Sequence, residues 1–273
     1  MHNFFTGNAL KEIIEAKAKR IAPLIEHGIS IEEQKEKIKE FENKKLYFNF
    51  KERILNNISE NKFSIIAEMK QKSPSAGLIV KNYNALEIAK IYNENKATCL
   101  SVLTEQDYFG GDVGDIKFIK DNGIKLPILC KDFIFNKWQL YHARSHGADA
   151  ILIILAAVGK QADELYEEAL KLNLSVIVEV HTIEEAEYAL KFKEALIGIN
   201  NRNLKTLKTE INTTYDIHNV LIDHKGPLIS ESGIKTKDEL LEISNKTSIK
   251  TFLIGESLLK DLDNNSIFSV LKG

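Results

Sequence analysis

The stretch PILCKDFIFNKWQLYHARSHGADAILIILAAVGKQADELYEEALKLNLSVIVEV, residues 127–180, alternates three short apolar runs with two longer charged ones. The runs PILCK (127–131), DAILII (149–154) and SVIVEV (175–180) have the length and β-branched content of strands. Between them, KWQLYHARSHG and ADELYEEALKLN space their apolar residues as amphipathic helices do. Outward from this stretch the same unit repeats. FSIIAEM (63–69) and TCLSVL (98–103) precede it, and ALIGI (195–199), PLISE (227–231) and KTFLIG (250–255) follow. ALEIAKIYNEN, GDIKFIKDNG and TIEEAEYALKF supply further connecting helices. Eight strand–helix units with nearly continuous apolar strands predict parallel strands covered on both faces. The expected fold is α/β, a (β/α)8 TIM barrel rather than an open doubly wound sheet. No GxGxxG follows the first strand, which weakens a dinucleotide-binding reading. Gly123, Gly147 and Gly226 fall near helix ends or before strands, where a left-handed cap is useful.

The barrel accounts for residues 62–273; residues 1–61 are charged and helical. Leu10, Ile13, Ile14, Ile21, Leu24 and Ile25 recur at helical spacing, and Ser30 with Glu33 fits a capping box. This part is expected to be an N-terminal helical extension packed on the barrel within one domain, its apolar stripe covering the barrel mouth. The Lys and Glu runs near 31–45 read as a solvated helix face. With 273 residues, 44% hydrophobic and 28% charged, the chain has material for a large core and is not globally disordered. Lys and Arg total 37 against 39 Asp and Glu, so nothing in the charge balance points to nucleic acid or an acidic membrane. The start, MHNFFTGNALKEII, lacks the pattern of a signal peptide, and no apolar run is long enough to span a membrane. A cytoplasmic protein is expected. Two cysteines, Cys99 and Cys130, sit in apolar runs and read as buried free thiols.

In such barrels the chemistry lies at the C-terminal ends of the strands. There the sequence places Glu68 and Lys70, Lys131, Glu179, Asn200 with Arg202, and Glu231 with Ser232 and Gly233. Period-two alternation puts Glu68 and Lys70 on one face, turns Lys131 away from Cys130, and sets Glu179 opposite Val178 and Val180. Charges gathered at an enclosed mouth must pair or shift their pKa values. Ser232 and Gly233, with Gly255 and Glu256, lie in the two loops where barrels often bind phosphate through backbone N–H groups. His142 and His146 have a metal-ligand spacing but fall on an outer helix without a third ligand, so no metal is expected. His181 lies past its strand end and reads as a neighbour of the site or as exposed. Gly110, Gly111 and Asp112 read as a turn before a helix.

The runs IIAEMKQKSPSAGLI, SVLTEQDYFGGD, PILCKDFI, GADAILIILAA, VIVEVH, IGINNRNLKT, LISESGIKT and FLIGESLL resemble, in order, the strand ends of the indole-3-glycerol phosphate synthase family across residues 63–260. The resemblance implies a phosphate-binding barrel and a step of tryptophan biosynthesis. In that step 1-(2-carboxyphenylamino)-1-deoxyribulose 5-phosphate closes to indole-3-glycerol phosphate, losing carbon dioxide and water. It implies no metal and no organic cofactor. Lys131 resembles the family's general acid, Glu68 and Lys70 its strand 1 pair, and Glu179 its acid–base carboxylate. Asn200 and Arg202 resemble residues that hold the substrate's polar groups. Ser73, Pro74, Phe109, Phe133 and Leu204 resemble loop and ring contacts. Glu231, Ser232, Gly233, Gly255 and Glu256 resemble the sites after strands 7 and 8, with Asn200 and Ser232 grouped with the catalytic residues. Gln71 and Cys130 depart from the family's pattern, and both are expected to face away from the mouth. With the chain ending at Gly273, no fused phosphoribosylanthranilate isomerase is expected. The expected partner is a small phosphorylated substrate, with no nucleic acid and no membrane. A monomer is the expected state, a weak homodimer or association with other tryptophan-pathway enzymes being the alternatives. The competing functions are a Schiff-base aldolase acting on a sugar phosphate and a non-catalytic phosphate-binding module.

Overall fold

A computed structural model describes residues 9–204, 206–262 and 266–271. The first eight residues, which enter the signal-peptide and domain readings, lie outside the described residues, as does Gly273. Eight parallel strands close into one barrel: β1 (Ser64–Met69), β2 (Cys99–Leu103), β3 (Ile128–Lys131), β4 (Ala150–Ile154), β5 (Ser175–Val180), β6 (Leu196–Asn200), β7 (Leu228–Glu231) and β8 (Thr251–Ile254). Each pairs with its sequence neighbour, and β8 closes on β1 with Ser64 opposite Thr251. All eight predicted runs are therefore strands. Each expected connecting helix forms as well: α4 (Ala85–Glu94), α5 (Gly114–Asp121), α6 (Lys137–Ser145), α8 (Ala162–Lys171) and α9 (Ile183–Ala189), with a single turn, α7 (Leu155–Val158), between α6 and α8. Asn84, Asn136 and Thr182 accept from the first-turn N–H groups of their helices, which fixes where each helix starts. Short elements escaped the periodicity, among them a hairpin pairing Lys72–Ser73 with Gly77–Leu78 and the single turn Leu155–Val158. Neither is long enough to carry a period.

Alternation along the strands divides the core in two. Outward residues such as Met69, Val102, Cys130, Ile153, Val178, Val180 and Ile199 pack beneath the helices. Inward residues Ile66, Cys99, Leu129, Leu152, Ile177, Leu196, Ile229 and Leu253 fill the barrel. Both thiols are free and buried, Cys130 outside the barrel as expected and Cys99 within it. Gly123 and Gly147 do take positive φ, but Gly226 does not. Gly226 is small for another reason, since a Cβ there would strike the Ala195 carbonyl.

The N-terminal segment forms three helices, α1 (Ala9–His27), α2 (Ile31–Asn43) and α3 (Phe50–Ser59), and the Ser30–Glu33 capping box starts α2. Phe50 and Ile54 of α3 are fully buried in the barrel's inner cluster, so this helix plugs the end opposite the strand C-termini. On α1 the stripe differs from the expected one. Ala9, Ile13, Lys17 and Ile21 are buried, whereas Leu24 and Ile25 are exposed. A four-residue stagger from Ala9 defines the buried face, and Lys17 sits on it because its ammonium reaches Asp132 at 2.7 Å. Arg20 pairs with Asp107 in the same manner. These two ion pairs hold α1 against the loops after β2 and β3.

Candidate active site

Two residues beyond Ile66, Leu129, Ile177 and Ile229, on the same inward face, come Glu68, Lys131, Glu179 and Glu231. The alternation that fills the barrel with aliphatic side chains thus ends in a ring of charges. Lys131 Nζ lies 3.0 Å from Glu68 Oε2 and 3.2 Å from Glu231 Oε2, and Lys70 pairs with Glu68 Oε1. All three carboxylates are buried. Two glycines make room for them. A Cβ on Gly198 would overlap Glu231 Oε1, and one on Gly255 would overlap Glu68 Oε1. Gly198→Ala is expected to cost about 1–3 kcal/mol, because Glu231 is enclosed and pinned by Lys131 and has nowhere to relax. Urea unfolding midpoints compared with the parent check this.

The electrostatics follow from crowding. Burial alone would protonate Glu68, but the Lys131 and Lys70 ammoniums outweigh it and hold the carboxyl down to about 2. Burial likewise disfavours the Lys131 ammonium, yet Glu68, Glu231 and Glu179 together raise its pKa above the ordinary lysine value. Glu231 goes the other way. Its burial, with the charges of Glu179 and Glu68, outweighs Lys131 and pushes it up to about 7. For Glu179, burial is overcome by His181, Lys131 and the Asn200 amide, and its pKa is lowered.

The mouth holds a chamber and an adjoining groove. Glu68, Lys70, Ser75, Lys131, Arg202 and Ser232 belong to both. The chamber is further lined by Ser73, Pro74, Phe109, Phe133, Glu179, Asn200 and Leu204, all expected from the sequence. Phe109 and Phe133 stand 6.2 Å apart between ring centroids and form an apolar wall. Ala9, Leu10 and Ile13 of α1 close the chamber from above. The groove carries Gly233, Gly255 and Glu256, also expected, with Lys235 and Lys260. Ser232 and Gly233 both take positive φ, so the backbone turns sharply where β7 ends.

Some expected residues stand apart. Glu231 lines neither cavity; it is fully buried behind Lys131, because the shortness of Gly198 lets it lie flat in the barrel. The Glu256 carboxylate turns to Lys260 at 2.7 Å, leaving only its backbone to an anion. His181 is not exposed, since Glu179 and Glu185 flank its ring. Gln71 and Cys130 line neither cavity. The sequence reading missed Leu103, Leu152, Ile154 and Leu207 in the chamber wall, as apolar residues carry no chemical signal. It also missed Asp132, whose oxygens accept from Lys17, Thr104 and the Phe133 N–H. It missed Glu105 too, which accepts the N–H groups of Asp107, Tyr108 and Phe109. A carboxylate that organises a loop was detectable only as an Asp or Glu just past a strand. His142 stacks on Trp138, and among the described residues no cluster of metal-ligating groups forms.

The model of the family described as "Indole-3-glycerol phosphate synthase" matches residues 10–270. An indole-3-glycerol phosphate synthase of Zymomonas mobilis subsp. pomaceae is 42% identical over 206 residues, 75% of this chain and 77% of that one. One of Caldanaerobacter subterraneus subsp. tengcongensis is 41% identical over 218 residues, 80% and 83% of the two chains. Among solved structures, the tryptophan synthase subunit alpha from Legionella pneumophila superposes with a TM-score of 0.60 at 11% identity, over 82% of this chain and 99% of that one, a likeness of fold alone. Strand-end charges, barrel and relatives agree, and the chain belongs to the indole-3-glycerol phosphate synthase family.

Proposed function

We propose that the chamber closes, decarboxylates and dehydrates 1-(2-carboxyphenylamino)-1-deoxyribulose 5-phosphate to indole-3-glycerol phosphate, with Lys131 as general acid and Glu179 as general base. The observation that carries this reading is the pairing of Lys131 with Glu68 and Glu231 at the head of an aromatic-walled chamber. Ring closure joins a weakly nucleophilic aromatic carbon to the ketone carbon. As that bond forms, the ketone oxygen becomes an alkoxide and takes a proton from the Lys131 ammonium. Its carboxylate partners keep the ammonium charged and aimed, and the nascent alkoxide is basic enough to take the proton. The ring carboxylate needs a cation until it leaves as carbon dioxide, and Lys70 and Arg202 supply it. Arg202 hydrogen-bonds Ser75 at 2.9 Å, so it reaches over the chamber from the loop after β6. Dehydration then removes a proton to Glu179, and the departing hydroxyl is protonated by Lys131 or Lys70. Phe109, Phe133, Pro74 and Leu204 sandwich the aromatic ring, Ser73 orders the loop that carries Pro74, and Asn200 orients Glu179.

The phosphate goes to the groove, against Ser232 and the backbone of Gly233, Gly255 and Glu256. Ser232→Ala is expected to raise KM about tenfold with little change in kcat, because a phosphate contact is made equally in ground and transition states. Steady-state kinetics check this, and a collapsed kcat at unchanged KM contradicts it. The N-terminal helices and the barrel act as one unit, since α1 roofs the chamber and α3 plugs the floor. A monomer is the proposed state, since this chain's own strands, loops and α1 wall and roof the chamber. The aldolase reading suits the geometry less well, because a Schiff-base lysine attacks as the neutral amine and the carboxylates hold Lys131 charged. Indole fluorescence on adding the carboxyphenylamino-deoxyribulose phosphate, with no metal supplied, tests the proposal. Absence of indole, with borohydride trapping of a sugar phosphate on Lys131, supports the aldolase instead.

A further inference from the structure

His181 immediately follows β5, two residues beyond Glu179. Its side chain is 8% exposed and stands between carboxylates from two elements. Nε2 lies 3.2 Å from Glu179 Oε1, and Nδ1 lies 3.4 Å from Glu185 Oε2. Glu185, in the first turn of α9, is itself fixed. Its Oε2 accepts the His181 backbone N–H at 2.7 Å, and its own N–H donates to Thr182 Oγ1. Neither ring nitrogen has hydrogen-bond geometry to these oxygens, so both contacts are close charge pairs, which an imidazolium supplies and a neutral imidazole does not. The charge inventory agrees. Lys70 and Lys131 both pair with Glu68, and Lys131 also pairs with Glu231. Among the described residues His181 is the sole cationic partner within 4 Å of Glu179.

We propose that His181, anchored by Glu185, is a positioning residue that keeps Glu179 ionised and turned toward the chamber. The proposal rests on the reading of Glu179 as the base. A base must be ionised when its step begins, and Glu179 is buried within reach of the Glu231 carboxylate, on which its charge acts. Without a cation on its own side, that surrounding favours the protonated acid. The groups that act on the pair are Glu185 from α9, Lys131 from β3, the Asn200 amide from β6 and the Glu231 carboxylate from β7. Burial opposes the charged ring, but Glu179 and Glu185 outweigh it and raise His181 to about 10. The imidazolium therefore persists across the neutral range.

The test is the kcat–pH profile of His181→Asn, Glu185→Gln and Glu179→Gln in the full chain, with the carboxyphenylamino-deoxyribulose phosphate as substrate. In His181→Asn the acid limb is expected to move up by at least about one pH unit, so kcat falls about tenfold on that limb and largely recovers at alkaline pH. KM should change less than about threefold, because His181 touches no substrate. Glu185→Gln is read also by the titration of the imidazole 15N resonances. With one of its two carboxylates gone, the ring is expected to lose its proton at lower pH than in the parent. A parental acid limb in His181→Asn, whether kcat is lowered or not, overturns the proposal. If His181→Asn does not fold, Glu185→Gln decides alone, and a parental imidazole titration overturns it. Glu179→Gln separates the two levels. Parental kcat in that variant removes the base reading itself, whereas its loss beside an unmoved limb in His181→Asn removes only the positioning role.

Discussion

Lys131→Ala is expected to lower kcat at least about 100-fold, the usual contribution of a positioned acid. It also removes the cation that Glu68 and Glu231 share at 3.0 and 3.2 Å. Breaking a buried pair by deleting one partner costs about 3–5 kcal/mol. The loss should be greatest at alkaline pH, where all three carboxylates are ionised, and should shrink as the pH falls. Glu231 already stands near 7 with Lys131 present and takes up a proton first. Turnover and urea midpoints measured at two pH values check both halves. Near-parental turnover would remove Lys131 from the chemistry, and a pH-independent stability loss would remove the electrostatic account.

Glu179→Gln should cost about 10²–10³ in kcat with KM nearly unchanged. The amide keeps the shape of the side chain and its contact with Asn200, but cannot take a proton. Because Glu179 is assigned to dehydration, carbon dioxide should appear in a single turnover before indole does. Single-turnover release of both products checks the assignment. If carbon dioxide and indole slow together, Glu179 acts no later than decarboxylation.

How much of this was legible in the chain is clearest from particular residues. Glu68, Lys131, Glu179 and Glu231 were found by counting, because strand alternation is local and a charge at the end of an apolar run breaks its pattern. Phe109 and Phe133 were found by resemblance, not periodicity, since loops have no period. Leu24 and Ile25 were misread on α1 because helical spacing shows that a stripe exists but not where its buried edge ends. Glu231 was placed against substrate when it lies behind Lys131. Its position depends on Gly198, a residue thirty-three positions earlier that reads only as part of a strand.

The sequence by itself determined eight strands, their order, the facing of the charged residues on strands 1, 3 and 5, and the end at which charges collect. Those properties depend on residues two to four positions apart, and side-chain direction along a strand or helix follows from backbone geometry alone. Only the tertiary structure decided which charges meet. Lys131 is a hundred positions from Glu231, and Lys17 is 115 from Asp132. Closing the barrel brings such groups together away from water, where a few ångströms decide which of them carries a proton.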